Sequence, residues 1–237
     1  MSNTYFRFKQ FTIHQDQCAM KVSTDACIFG AWLKLQKDTK HLLDVGAGTG
    51  LLSLMLAQRD HELQIDAIEF DEQAALQARE NVANTPWAER INVIHADAVG
   101  YAYKHKYNCI IANPPFFSNS LLGDNEQRNR ARHTLSLTYR NLFAIIKSNL
   151  TAGGVASVLL PVTGLDNWEA ILRENDWFVS TKLLVHPRVG QAANRVVVTC
   201  VHNVTSPCSE EHLYIRNADD SYTDEFTTLM QPYYLGL

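Results

Sequence analysis

Three groups of residues in this 237-residue chain have types and spacing suited to chemistry. The first is Asp44-Val-Gly46-Ala-Gly48-Thr-Gly50. Glycines at every second position let a backbone turn tightly and let a ligand approach without Cβ clashes. Their N–H groups, with the start of a following helix, offer positive partial charge to that ligand. The second group is a pair of acids. Glu69 can accept hydrogen bonds from both hydroxyls of a ribose, and Asp97 can accept from an adenine amino group. The third is Asn113-Pro114-Pro115-Phe116. An aromatic exocyclic amine is a poor nucleophile because its lone pair is delocalised into the ring. Two acceptors on its hydrogens, the Asn113 side-chain oxygen and the Pro114 carbonyl, draw the nitrogen toward a tetrahedral form with a free lone pair. The prolines fix the backbone, and Phe116 can stack on the base.

These groups need a scaffold that gathers them, and the hydrophobic pattern supplies one. Short apolar runs at 41–45, 64–70, 91–95, 107–113 and 155–160 read as strands, each bounded by turn or breaker residues. Between them lie helical patterns at 51–58, at 71–82 with Asp71 as N-cap, weakly near Ala98, at 139–150 closed by Gly153-Gly154, and at 166–176. Segments 178–185 and 195–202 read as a final antiparallel pair around the loop 186–194. Strands alternating with helices imply an α/β fold, a mostly parallel sheet covered on both faces. In such sheets ligands bind at the carboxyl ends of the strands, where all three groups fall. Thr24 is expected to cap a helix through Leu35, after an extended segment carrying Phe6, Phe8, Phe11 and Ile13. One domain is expected over 1–237: an N-terminal addition at 1–38, a catalytic core at 39–205 and an acidic tail at 206–237.

The glycine spacing with Glu69 and Asp97 resembles the S-adenosylmethionine site of class I methyltransferases. A dinucleotide fingerprint needs Gly or Ala at 51, where Leu51 stands. The resemblance implies a Rossmann-like fold with a seven-stranded, mostly parallel sheet and a C-terminal antiparallel strand. Asn113-Pro114-Pro115-Phe116 resembles the N/D-P-P-Y/F signature of amino-methyltransferases, which act on adenine N6, guanine N2 or protein glutamine amides. The segment 11–25 leading to Gly30-Ala-Trp32, then DVGAGTGLLSLMLAQR, IEFDEQAALQARENV, IIANPPFF and His186-Pro187-Arg188, is similar to the bacterial tRNA(Val) adenine-37 N6-methyltransferases. That resemblance covers most of the chain. It implies S-adenosylmethionine as methyl donor and a valine tRNA as substrate, with a flipped adenine held by Asn113, Pro114 and Phe116. The cofactor would be held by Asp44, Gly46, Gly48, Gly50, Glu69, Asp97 and Asn113, with Lys21 and Thr24 near the crevice if the N-terminal segment folds over it. The alternatives on the same chemistry are guanine N2 of ribosomal RNA and a protein glutamine amide. From other classes come a nicotinamide oxidoreductase, which Leu51 opposes, and a non-catalytic RNA-binding module.

Charge distribution leaves room for an RNA substrate. Lys+Arg 21 against Asp+Glu 25 gives a net charge of −4, which makes no general case for a nucleic-acid binder. The distribution is uneven, however: residues 101–150 carry seven Lys/Arg against two Asp/Glu, and residues 201–237 one against six. Arg128, Arg130, Arg132 and His133 follow the tetrad in a polar loop suited to phosphate contacts. Arg188 and Arg195, with Lys104-His105-Lys106 as weaker candidates, extend the basic rim, and the acidic tail would have to face away from RNA. Five cysteines without a CxxC pair argue against a disulfide framework. No apolar run is long enough for a bilayer, no residue spacing suggests a metal site, and no secretory signal opens the chain. A cytoplasmic monomer is the expectation.

Overall fold

A computed structural model describes residues 3–114, 137–203 and 207–237. An N-terminal hairpin, β1 (Tyr5–Arg7) and β2 (Thr12–His14), leads to α1 (Thr24–Trp32). The alternating core follows: β3 (His41–Val45), α2 (Leu51–Arg59), β4 (Gln64–Glu69), α3 (Glu72–Ala83), β5 (Ile91–His95) and β6 (Tyr107–Ala112). The described residues resume with α4 (Tyr139–Asn149), β7 (Leu150–Pro161), α5 (Leu165–Arg173), β8 (Phe178–Arg188), β9 (Arg195–Val201), β10 (Ser209–Arg216) and α6 (Asp224–Met230).

The large sheet has the order β10-β8-β9-β7-β6-β3-β4-β5. From β7 to β5 its pairings are parallel, and β9 is antiparallel to both β7 and β8. The α/β class and mostly parallel sheet stand as expected, but the sheet has eight strands rather than seven. The additional strand is β10, which pairs parallel with β8. It comes from the segment expected to be an acidic tail. Its glutamates obscured the strand pattern, because on an edge strand charged side chains reach water from one side.

Side chains alternate across the sheet. Leu42, Ile65, Cys109, Ile111 and Val197 pack on one face beneath α1, α2, α3 and α6. Leu43, Val45, Ile110, Ala112 and Val198 pack on the other beneath α4 and α5. Helix α2 is buried from Leu51 through Ala57, and α1 crosses it so closely that a Cβ on Gly30 would stand 2.8 Å from Met55 Sδ.

Three local expectations are corrected. Ser23, not Thr24, caps α1: its Oγ accepts from Ala26 N at 3.2 Å, and the helix ends at Trp32. Residues 98–100 form a bend and turn rather than a helix. No glycine closes α4: β7 begins at Leu150, which pairs with Tyr107 across an irregular register, so Gly153 and Gly154 lie inside the strand.

Candidate active site

Parallel pairing brings the functional groups to one edge. Val45 is in register with both Ile68 and Ala112, and Glu69 with His95. The residues that follow these strands therefore line the carboxyl ends of four adjacent strands, β6-β3-β4-β5, about 14 Å across at ordinary strand spacing.

The glycine turn is built from its own backbone. Gly46 N and Ala47 N both donate to Ile68 O, at 2.9 and 3.0 Å, and Gly50 N donates to Ala47 O at 2.8 Å. Gly46, Gly48 and Gly50 have φ of +75°, +55° and +81°, a region that L side chains adopt only at a cost. A Cβ at Gly46 or Gly48 would meet nothing within 4 Å. The turn thus leaves an open floor in front of α2.

Glu69 is anchored to this floor. Its Oε2 accepts from Gly48 N at 2.8 Å and its Oε1 from Asp71 N at 2.9 Å. Each oxygen retains a lone pair for a further donor. Asp97 Oδ1 accepts from Val99 N at 2.8 Å, so this carboxylate shapes its own turn beyond β5.

At this edge, two buried acceptors lack hydrogen-bond partners among the described residues, as do Thr39 Oγ1 and Gln58 Oε1 elsewhere. Asp44 is 1% exposed; its Oδ2 accepts from Ser53 Oγ at 2.7 Å, and its Oδ1 has no partner. Burial pushes its carboxyl up to about 7, with the Ser53 bond opposing and the Glu69 charge adding. Asn113 Oδ1, just past β6, is likewise buried without a hydrogen bond. Buried oxygens are seldom left unpaired unless a ligand or water completes them.

The N-terminal segment reaches this edge through side chains that the motifs did not reveal. Asn81, fully buried on α3, accepts from His14 N at 2.9 Å and donates to His14 O at 2.9 Å and Thr49 O at 3.0 Å. Gln77 accepts from Gln17 N and donates to Asp16. Farther along, Asp25 Oδ2 lies 3.1 Å from Arg195 Nε at the start of β9. Polar residues set among the buried Ala74, Ala75, Ala78 and Val82 were the signal that could have marked Gln77 and Asn81.

Asp44, Gly46, Gly48, Gly50, Glu69, Asp97 and Asn113 are brought together, with Pro114 buried beside them. Lys21 and Thr24 are placed differently. Lys21 Nζ donates to Asn3 O at 3.2 Å, and Thr24 lines a cleft with Arg188, Gln191, Arg216 and Tyr222. Arg188 pairs with Asp220 and Arg195 with Asp25. Lys104-His105-Lys106 precede β6 and so lie at the opposite, amino edge, where Lys106 donates to Ser148 O. Pro115, Phe116, Arg128, Arg130, Arg132 and His133 lie outside the described residues. Among the described residues no group of three or more His, Cys, Asp or Glu could hold a metal, and no helix is long and apolar enough to cross a membrane.

A protein of Bacteroides thetaiotaomicron, a tRNA1(Val) (adenine(37)-N6)-methyltransferase, is 39% identical over 238 residues, covering 100% of both chains. The chain belongs to that methyltransferase family. Residues 28–135 also match the methyltransferase small domain model. Among solved structures, a predicted O-methyltransferase of Agrobacterium tumefaciens superposes with a TM-score of 0.66 at 19% identity, over 87% of this chain and 95% of that one. A Listeria monocytogenes protein assigned to the class I S-adenosylmethionine-dependent methyltransferases superposes at 0.57 and 11% identity, over 90% and 71%. These likenesses establish the class I fold.

The residues fit the cofactor of this family. S-adenosylmethionine is a cation with a ribose and an adenine. The open glycine floor leaves room for such a molecule, and the lone pairs left on Glu69 and the unpartnered Asp44 Oδ1 can accept from its hydroxyl and ammonium hydrogens. A carboxyl titrating near 7 is one that a neighbouring cation would hold ionised.

Proposed function

We propose that the protein methylates N6 of adenine 37 in the anticodon loop of a valine tRNA, in the cytoplasm where that substrate resides. The observation that carries the chemistry is the buried, unpartnered Asn113 Oδ1 at the carboxyl end of β6, two strand ends from Glu69. The family carries the choice of nucleotide.

S-adenosylmethionine supplies a methyl group already activated by its positive sulfur. What remains for the chain is to present a lone pair. Asn113 Oδ1 accepts one hydrogen of the adenine amine and the Pro114 carbonyl accepts the other. An amide oxygen holds a hydrogen bond without keeping the proton, so it orients and pyramidalises the nitrogen rather than acting as a base. Leaving this oxygen unpaired in the free protein is a local cost that the bound amine removes. Asp44, the glycine turn and Glu69 fix the donor, and Phe116 stacks on the extruded base. Arg128, Arg130, Arg132 and His133, outside the described residues, are assigned phosphate contacts in this reading from their charge alone.

Purified protein with isotope-labelled S-adenosylmethionine is given unmodified tRNA or ribosomal RNA in separate reactions. Digestion to nucleosides and mass spectrometry then identifies the product. N6-methyladenosine from the tRNA alone is expected; N2-methylguanosine, or label in a protein glutamine, would overturn the substrate. Asn113→Ala is expected to lower kcat by at least about 100-fold, as loss of a preorganised partner of the reacting group does. Cofactor affinity should stay within a few-fold. Near-normal turnover would remove Asn113 from its role.

A further inference from the structure

Arg188 and Arg216 end the adjacent parallel strands β8 and β10 and stand in register with each other. Like charges placed directly opposite on neighbouring strands repel, so this position is built for something negative. Part of that charge comes from the chain itself. The turn 217–222 folds back over the strand ends, and Arg188 pairs with the Asp220 carboxylate and donates to Ala218 O. Arg216 donates to Asp220 O, and its guanidinium lies 4.4 Å over the Tyr222 ring. Asp220 achieves this with φ of +71°, the left-handed region that a non-glycine residue adopts seldom.

Arg188 is aimed by a second turn. Gln191 N donates to Arg188 O at 3.0 Å, and His186 Nδ1 donates to Gln191 O at 2.8 Å while its ring stacks on Tyr214. Between the two turns lies a cleft of about 380 Å³ lined by Thr24, Arg188, Gln191, Arg216, Asp220 and Tyr222. It opens on the same edge of the sheet as Asn113. In the strand order, β8 stands three places from β6 and β10 four, or about 14 and 19 Å along the edge.

We propose that this cleft is a seat for a phosphate of the RNA backbone, gripped by Arg188 and Arg216, with Asp220 holding their place until the RNA arrives. The proposal rests on the tRNA reading above. The Asp220 carboxylate is an internal stand-in for the phosphate. Its side chain is 64% exposed and that of Arg188 is 34% exposed, and ion pairs so open to water are weak and easily exchanged. A phosphate offers more acceptor oxygens than a single carboxylate and suits the planar guanidinium fork. An RNA strand whose base reaches Asn113 could then run its backbone along the sheet edge to this cleft.

The test compares wild type with Arg188→Ala, Asp220→Asn and Arg173→Ala. Arg173 lies on α5, paired with Glu169, and controls for loss of one positive charge. The readouts are KM and kcat on unmodified tRNA at several salt concentrations, and S-adenosylmethionine affinity by calorimetry. Arg188→Ala is expected to raise KM about tenfold and to flatten the dependence of log KM on log salt by about one contact, with kcat at saturation retained. Asp220→Asn should lower KM several-fold, because the arginine no longer has to leave a carboxylate. Arg173→Ala should change neither quantity. An unchanged KM in Arg188→Ala, or a raised KM in Asp220→Asn, overturns the seat. If Arg188→Ala loses cofactor binding through misfolding, Asp220→Asn decides alone. Wild-type protein that neither binds nor methylates tRNA overturns the substrate reading together with the seat; wild type that methylates normally beside unaffected variants overturns the seat only.

Discussion

At the scale of single residues, Asp44 places a carboxyl where ionisation is costly, and in the proposed site a bound cation would offset that cost. Asp44 is buried, and burial holds its carboxyl up to about 7, against about 4 in an unfolded chain. The sign of the consequence follows from proton counts. Between pH 4 and 7 the unfolded chain has released this proton while the folded chain keeps it, so stability falls as pH rises through that window. Below pH 4 both states are protonated and no penalty exists. Above pH 7 the full penalty applies, on the order of 4 kcal/mol for a three-unit separation. Asp44→Asn removes the titration. Denaturant midpoints should show the variant gaining on wild type as pH rises from 4 to 7, while its affinity for S-adenosylmethionine falls. A stability difference independent of pH would show that Asp44 does not titrate in the core. The opposite signs are the usual trade between a stable core and a charged binding site.

At the scale of elements, the site depends on contacts that join distant segments, and these explain what the sequence made legible. Each buried strand is a short apolar run with breakers at its ends, and the glycine turn, Glu69, Asp97 and Asn113 could be placed from those runs alone. The ties that hold the N-terminal segment over the edge leave a fainter trace, polar residues on the buried face of α3 that mark a contact without naming its partner. Asn81 bonds a residue 67 positions away, and Arg195 finds Asp25 across the sheet edge. No local periodicity encodes a pairing at that range. The cap of α1 passed to Ser23 because two adjacent hydroxyl residues fit the same role and only backbone geometry chooses between them. Asn81→Ala tests the importance of the tie. It leaves the His14 N–H without its acceptor and the His14 and Thr49 carbonyls without a donor, so a loss of about 2–4 kcal/mol is expected. Urea denaturation should show that loss, and calorimetry should show weaker cofactor binding because Thr49 belongs to the glycine turn. Lost stability with unchanged affinity would confine Asn81 to holding the hairpin.

At the scale of the whole molecule, the most consequential difference between sequence and structure is the C-terminal segment. Residues 201–237 carry one Arg against six Asp/Glu, a balance that reads as solvated tail. The folded chain instead uses them as wall and clamp. Leu213 enters the sheet, and Phe226, Met230 and Tyr233 are almost wholly buried against α1 and α2, at 0%, 0% and 2% exposure. Glu211 accepts from Trp32 Nε1 at 2.8 Å, Tyr233 Oη donates to Met55 O at 3.2 Å, and Lys9 Nζ bonds Gln231 O and Leu237 O. The apolar positions are spaced too widely, and flanked by too many acids, to stand out as a periodic pattern. Nor does the segment face wholly away from the functional edge, since Arg216 and Asp220 end there beside Arg188. Deleting residues 207–237 would remove four large buried apolar side chains and uncover the faces of α1 and α2 they pack on; their burial is worth about 1.5–3 kcal/mol each, or about 6–12 kcal/mol together. That matches the entire stability of an ordinary domain, about 5–15 kcal/mol. The truncated chain is therefore expected to be insoluble or to lack a cooperative thermal transition, and to bind no S-adenosylmethionine, although every residue of the glycine turn and tetrad remains in it. A truncated chain that melts cooperatively and binds cofactor would show the clamp to be dispensable. The site would then be held by the sheet from β7 to β5 alone.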